Sequence, residues 1–312
     1  MPWNPTVLQR VRHLHLRART LTDSLLMGEH ASRRVGEAVE FADYTEYTPG
    51  MDLRFADWKA YGRTDRLVVK RFQTETQLPC TVVLDLSGDL STGEACRDEY
   101  PDLDGSKAGY AITLAATLLY FLHRHGEPVG LEVVAGKDVR WPSIPPRRGR
   151  GHLQRLFTML AGAKPGGRAD LRGALVNVGS RTPRRSWIAV LSDGMEEPSE
   201  WLPALAAFAR RRTDLCFAHV YDPDEWALSL QRPAQFFSPE GGGDLAVDPQ
   251  AAQEAFAAVV AEYVAEVESG VVRWGGRYVR VSTGHPMETA IARIVATGSQ
   301  AGDVSREAAT WG

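Results

Sequence analysis

Length, composition and charge first limit what this chain can be. Its 312 residues are enough for one large domain or two ordinary ones, and its hydrophobic content of 44% is enough for a packed core. A formal net charge of -3 argues against a general nucleic-acid-binding protein, because such proteins carry an excess of basic residues. The three cysteines are widely spaced without a Cys-x-x-Cys pair, so the sequence offers neither a disulfide framework nor a zinc site.

The amino-terminal segment combines one amphipathic helix with a region of aromatic and charged residues. Apolar residues at helical spacing predict a helix over 6–27, and its two histidines, His13 and His15, lie on different faces and are not expected to share a metal. Residues 36–75 lack a long apolar run, contain a Pro-Gly turn and end in a strand pattern at 67–72. This segment is therefore predicted to be a small helix-plus-strand unit.

From residue 79 onward, strand and helix patterns alternate. The predicted strands are 80–86, 129–134, 138–141, 187–191, 215–221 and 277–282, and the predicted helices are 106–124, 151–162, 171–178, 199–211, 249–268 and 286–296. Strands separated by helices of this length imply right-handed crossovers. We therefore predict an α/β fold with a doubly wound, mostly parallel, Rossmann-like sheet and a smaller amino-terminal segment.

The expected domain division follows from the same patterns. Residues 1–77 form the amino-terminal segment, residues 78–300 form the α/β domain, and residues 301–312 form a frayed tail. No secretory signal follows the initial methionine and no apolar run reaches the length of a membrane span. These observations predict a cytoplasmic protein without a membrane span.

Side chains that carry chemistry follow two of the predicted strands. Asp85, Ser87 and Asp89 come at the end of the first strand, and Asp193 follows the fourth. In the common doubly wound order the first strand lies beside the fourth, so Asp85 and Asp193 are expected to project into one crevice. Carboxylates that lie so near each other need a cation to neutralise them, and Mg²⁺ or another divalent ion suits this set of carboxylate and hydroxyl oxygens. The sequence therefore predicts a metal site formed by these four residues.

Two alternatives to a metal-dependent binding site remain open. In one, the acids cap helices and pair with Arg168 or Arg172, so that a guanidinium takes the place of the metal. In the other, the Asp cluster serves a metal-dependent hydrolase, although a two-metal enzyme needs more acids and histidines at strand ends. Gly-x-Ser-x-Gly and the phosphate-binding Gly-x-x-x-x-Gly-Lys-[Ser/Thr] are both absent. The basic segment 147–152 is interpreted as a solvated loop, with an anion cradle as the alternative. Nucleic-acid binding through 147–150 or 210–212 is the remaining interpretation of the basic residues.

The acidic strand ends resemble a known binding motif. Asp85-x-Ser87-x-Asp89, with Asp193 between a serine and a glycine, resembles the metal-ion-dependent adhesion site of von Willebrand factor A domains. The usual pattern is Asp-x-Ser-x-Ser with a later threonine and aspartate. Asp89 replaces the second serine here, and Ala169 stands where the threonine is expected.

The segment before the first strand of the α/β domain is similar to the signature of the bacterial domain-of-unknown-function 58 family. The residues that carry this resemblance are Tyr47, Pro49, Gly50, Asp52, Arg54, Asp57, Trp58 and Arg63. Considered without the resemblance, these acids, arginines and aromatics form either an architectural network that satisfies itself or a partner-binding surface.

The resemblance implies a function as well as a fold. Members of this family are typically encoded with AAA+ ATPases of the MoxR type, and their signature normally precedes a von Willebrand A-type domain. In such domains the bound ion keeps an open coordination position that an Asp or Glu of a partner completes. The resemblance therefore implies a non-enzymatic adaptor or co-chaperone that binds a MoxR-type ATPase or another protein, and no nucleic acid, through Mg²⁺.

Overall fold

The computed structural model describes residues 5–32, 41–48, 56–64, 66–72, 78–93, 105–136, 142–227, 234–237, 244–247 and 249–296. In chain order its helices and strands are α1 Pro5–Ser32, β1 Phe41–Glu46, α2 Trp58–Thr64, β2 Val68–Phe72, β3 Cys80–Asp85, α3 Lys107–Arg124, β4 Val129–Val134, β5 Ile144–Arg147, α4 Arg150–Gly162, α5 Leu171–Arg181, β6 Trp187–Ser192, α6 Pro198–Trp201, α7 Ala206–Ala209, β7 Asp214–Tyr221, α8 Pro223–Ala227, β8 Ala234–Phe237, β9 Asp244–Val247, α9 Pro249–Arg273, β10 Arg277–Ser282 and α10 Met287–Val295.

The chain divides into two compact units. One contains Met1–Leu26 and Leu78–Gly312, and the other contains Met27–Gln77. Both this division and the sequence pattern place a boundary after residue 77, but here most of α1 belongs to the unit that contains the sheet. Val11, Ala18 and Leu21 of α1 are buried in the same apolar cluster as β3, α3 and α4. The expected tail at 301–312 lies outside the described residues.

A six-stranded sheet in the order β10-β7-β6-β3-β4-β5 forms the centre of the larger unit. All its neighbours pair in parallel except β4 and β5, so the predicted α/β fold with a mostly parallel sheet is confirmed. β3 lies directly beside β6, as the doubly wound order predicts. Its side chains alternate between the two faces: Val82 and Leu84 enter one apolar cluster and Val83 enters the other.

Three elements differ from the sequence pattern or were missed by it. The edge strand β5 was not predicted, and the predicted strand at 138–141 lies outside the described residues. The predicted helix at 199–211 is broken into α6, a short 3-10 helix and α7, because Pro203 lacks the N–H that a continuous helix needs. The antiparallel hairpin of β8 and β9 was not predicted.

Two consecutive prolines, Pro145 and Pro146, lie in the antiparallel edge strand β5. Proline is confined to edge positions in sheets because it has no N–H to donate to a neighbouring strand. The partner strand is adapted to them at Gly130, where a Cβ would lie 2.7 Å from both the Ile144 carbonyl oxygen and the Pro146 nitrogen. Only glycine allows β4 and β5 to approach this closely.

The smaller unit contains an antiparallel pair, β1 with β2, and the short helix α2. Asp57 caps this helix, since its carboxylate accepts hydrogen bonds at 3.0 Å from the backbone N–H groups of Lys59 and Ala60. The family-signature residue Asp57 therefore has an architectural role at the start of α2.

The cap leads to a specific expectation. Asp57→Ala should destabilise α2 by about 1 kcal/mol, because two N–H groups lose their acceptor. Hydrogen exchange of the α2 amides would measure this change, and Asp57→Asn, which keeps a capping oxygen, is the matched control. Equal exchange rates in the wild-type and alanine chains would contradict the role of the cap.

Among the described helices, none has both the length and the apolar character required to cross a bilayer.

Candidate functional site

Two buried carboxylates converge at the carboxyl ends of β3 and β6. Asp85 ends β3 and Asp193 follows β6, and each is only 3% exposed. The Ser192 hydroxyl donates to Asp85 Oδ2 at 2.6 Å, and the Ser87 N–H donates to Asp85 Oδ1 at 2.8 Å. The structure thus brings Asp85, Ser87 and Asp193 together at one edge of the sheet.

A buried lysine supplies positive charge at this edge. Lys107 is the first residue of α3, and its side chain is 3% exposed. Its Nζ lies 3.1 Å from Asp193 Oδ2 and 2.8 Å from Glu225 Oε2. We call the group of Asp85, Asp89, Lys107, Asp193 and Glu225 the notch.

The two carboxylates keep the Lys107 side chain charged. A cation at the first turn of a helix is unfavourable, because the helix dipole is positive there. Burial also favours the neutral amine, yet the charges of Asp193 and Glu225 outweigh it and raise the pKa of Lys107. The ammonium group is therefore a permanent part of the notch at neutral pH.

The acids of the notch outnumber this single cation. Burial, followed by the charge of Asp193, raises the pKa of Asp85 to about 7, against the hydrogen bonds from Ser192 and Ser87. Burial and then Asp193 also raise the pKa of the half-buried Asp89, while Lys107 acts in the opposite direction. These raised pKa values indicate that the carboxylates of the notch still repel one another, although Lys107 is paired with two of them.

The notch does not fit the divalent ion that the sequence predicts. An ammonium group contacts Asp193, and both oxygens of Asp85 accept hydrogen bonds from protein donors. The Lys107 ammonium group already occupies the space beside Asp193 Oδ2 that a bound ion would need. Within the described ranges, no group of three or more His, Cys, Asp or Glu side chains is arranged to hold a metal ion.

Arg168, the sequence-based candidate for a metal substitute, is exposed. Its neighbour Ala169 is the buried residue of this loop, at 4% exposure. The loop meets β3 through its backbone: Gly166 N–H donates to the Leu86 carbonyl at 3.0 Å, and Gly88 N–H donates to the Gly167 carbonyl at 2.8 Å. The basic group that pairs with Asp193 is therefore Lys107 instead of an arginine of this loop.

A buried histidine that the sequence patterns did not single out fixes the backbone at Asp193. His219 of β7 has Nε2 at 2.7 Å from the Asp193 carbonyl oxygen and Nδ1 at 2.6 Å from the Tyr278 hydroxyl. Because a carbonyl only accepts, Nε2 carries the proton and Nδ1 accepts from Tyr278. Burial, against the charge of Asp193, lowers the pKa of His219 to about 4. The neutral ring thus satisfies both partners.

Apolar surface adjoins the notch on the loop after β6. Met195 is 61% exposed, two residues beyond Asp193. The Tyr263 hydroxyl donates to the Gly194 carbonyl, so this loop is held by side chains from two directions. Met195 is therefore presented from a fixed backbone.

The family-signature residues fall partly within the described ranges. Pro49, Gly50, Asp52 and Arg54 lie outside those ranges. The others lie in the smaller unit: the Tyr47 N–H donates to the Leu67 carbonyl, Arg63 is exposed, and Trp58, at 61% exposure, makes an edge contact with Tyr61.

A mostly parallel sheet with an acidic notch at the carboxyl ends of β3 and β6 defines an α/β protein whose candidate binding site lies at the strand ends. The chain belongs to the family described as "Protein of unknown function DUF58", which matches residues 43–266.

The chain is also similar to individual proteins. Uncharacterized proteins of Mycobacterium tuberculosis (strain H37Rv) and Mycobacterium bovis are each 27% identical over 299 residues, covering 94% of this chain and 90% of the relative. Among solved structures, the conserved hypothetical protein BatB from Bacteroides thetaiotaomicron is 18% identical with a TM-score of 0.44, covering 69% of this chain and 96% of that chain. An aerotolerance-related membrane protein from Bacteroides fragilis is 16% identical with a TM-score of 0.41, covering 69% and 95%.

Proposed function

We propose that this chain is a non-enzymatic adaptor or co-chaperone that binds a MoxR-type AAA+ ATPase in the cytoplasm. Membership of the DUF58 family supports the choice of partner, because members are typically encoded with such ATPases. The observation that carries the proposal is the notch itself, a charged site at the carboxyl ends of the strands with the exposed Met195 beside it. Charged groups bordered by an apolar side chain suit recognition of another protein.

The chemistry of the notch sets how the partner is bound. Lys107 takes the role that the resemblance gives to a metal ion, so the contact is independent of divalent ions. Since Lys107 is already paired with two carboxylates, the remaining negative charge attracts an Arg or Lys side chain of the partner. A partner carboxylate, which a metal would attract, is repelled.

A pull-down with a MoxR-type ATPase of the same organism tests the proposal. Retention should be unchanged by EDTA and should fall on the order of tenfold with Met195→Glu, because the apolar contact beside the notch is lost and a charged group must be desolvated in its place. Val272→Glu is the matched control, since Val272 is similarly exposed but lies on α9.

Three results would contradict the proposal. Loss of retention in EDTA would indicate a metal-bridged contact, and wild-type retention by Met195→Glu would indicate that the contact lies away from the notch. Turnover of a substrate by the isolated chain that is lost with Asp193→Asn would identify a hydrolase instead.

A further inference from the structure

A groove of about 1030 Å³ lies between α1, the first turns of α3 and the end of α4. Its lining comes from these helices and from the loop after α4, and includes Pro165. The next residue, Gly166, donates to the Leu86 carbonyl, so the groove adjoins the loop that borders the notch. Groove and notch are therefore neighbouring features of the larger unit.

The packing of α1 explains why the groove has an apolar wall. Val11 and Leu21 are buried, and His15 packs against Tyr120 and Phe157 with ring centroids 5.3 Å apart in both cases. These contacts hold α1 on α3 and α4. Leu16 nevertheless remains 52% exposed in the groove wall, and Ile112 of α3 also lines the groove. Apolar surface is thus left available between fixed helices.

The charges around this apolar surface have one sign. The lining residues include Arg10, Arg17 and Lys164 and no carboxylate among the residues that the structure describes. Arg10 and Lys164 are exposed. This basic border occurs in a chain whose net charge is -3, so it is a local feature of the groove. It complements a ligand that combines apolar and acidic groups.

We propose that the groove binds an acidic amphipathic helix of a partner protein. The lining contains residues of helices and a loop and no strand, so it offers no sheet edge for an extended peptide. A helix placed in such a groove presents apolar side chains at every third or fourth position toward Leu16 and Ile112. Its flanking Glu and Asp residues then face Arg10 and Lys164. This inference does not depend on the ATPase proposed above.

The test uses a labelled synthetic helix of about 20 residues with leucine on one face and glutamate on the other, and a twin with lysine at every glutamate position. Fluorescence anisotropy with the full chain should show binding of the glutamate peptide only. The double variant Arg10→Glu/Lys164→Glu should weaken binding on the order of tenfold or more, because attraction becomes repulsion at two positions. Leu16→Glu should also weaken it.

Matched controls locate the contact. Arg155→Glu reverses an exposed charge on α4 outside the lining, and Val259→Glu places an acid at an exposed apolar position on α9, so both should bind the peptide as the wild type does. Met195→Glu should also leave peptide binding unchanged, which separates this test from that of the notch.

Three outcomes would overturn the inference. The first is equal binding of the two peptides, or no binding of either. The second is binding of phosphatidylglycerol vesicles, lost in the Arg10→Glu/Lys164→Glu variant, without binding of the glutamate peptide, which would indicate a lipid surface. The third is self-association that Leu16→Glu abolishes, which would assign the groove to a second copy of the chain.

Discussion

Replacing Lys107 with methionine should lower the free energy of unfolding at neutral pH by about 3–5 kcal/mol. The substitution leaves Asp193 buried without the ammonium group that lies 3.1 Å from it, and Glu225 loses its partner at 2.8 Å. Removing one member of a buried ion pair is costly because the remaining charge stays desolvated. Urea denaturation would measure the change, with exposed Lys164→Met as a control that should change stability by less than about 0.5 kcal/mol.

A second substitution separates the ion pair from packing. If the loss comes from the uncompensated charge, Lys107→Met combined with Asp193→Asn should be more stable than Lys107→Met alone, since the amide needs no counter-ion. A double variant that is less stable than either single variant would contradict this explanation.

The same lysine gives a test with divalent ions. Lys107→Ala empties the space between Asp193 and Glu225, and oxygen ligands of this kind suit Mg²⁺. We expect millimolar Mg²⁺ to raise the melting temperature of Lys107→Ala and to leave that of the wild type unchanged. Equal responses of the two proteins would show that Lys107 does not act in the place of a metal ion.

The second large effect is a pH dependence in which two buried groups oppose each other. The pKa of His219 is lowered to about 4 in the folded protein, whereas the pKa of a histidine in the unfolded chain is about 6.5. Between these two pH values the unfolded chain binds a proton that the folded protein does not. The contribution of His219 to the free energy of unfolding is therefore complete above about pH 6.5 and is lost as the pH falls to about 4, a change of about 3 kcal/mol. The contribution of Asp85 to stability depends on pH in the opposite direction. Because the pKa of Asp85 is raised, this contribution is lost as the pH rises through about 7.

Variants should therefore separate the two slopes. Relative to the wild type, His219→Gln should lose the part of the stability that rises with pH, and Asp85→Asn should lose the part that falls with pH. Urea unfolding of each chain at several values between about pH 4.5 and 7.5 would measure these differences, and the contributions of other groups cancel in the comparison. Parallel stability curves for the three proteins would contradict the assigned pKa shifts.

The adjacency of β3 and β6 and the convergence of Asp85 with Asp193 could be predicted from the sequence, because both follow from buried strands joined by helical crossovers. The cation between the acids could not be placed in this way. Arg168 is close in sequence to the threonine position of the adhesion motif, but its loop meets β3 through backbone groups and leaves the guanidinium exposed. Which side chain of a loop turns inward depends on backbone geometry that spacing alone does not specify.

Lys107 did carry a signal that a pattern search can use. It stands directly after the capping residue Ser106, at the start of an otherwise apolar helix, where the dipole disfavours a positive charge. A cation in that position of a buried helix indicates nearby carboxylates. His219 carried no comparable signal, because its partners are a backbone carbonyl and a tyrosine that is distant in the sequence.

The prolines of β5 have a consequence for how this protein associates with others. An exposed sheet edge normally offers free N–H groups on which a strand of another molecule can assemble, which leads to aggregation or to growth of the sheet. Successive N–H positions of a strand point to opposite sides, so the adjacent Pro145 and Pro146 leave β5 without an N–H group at one position that faces its free edge. This border of the sheet therefore resists extension by foreign strands.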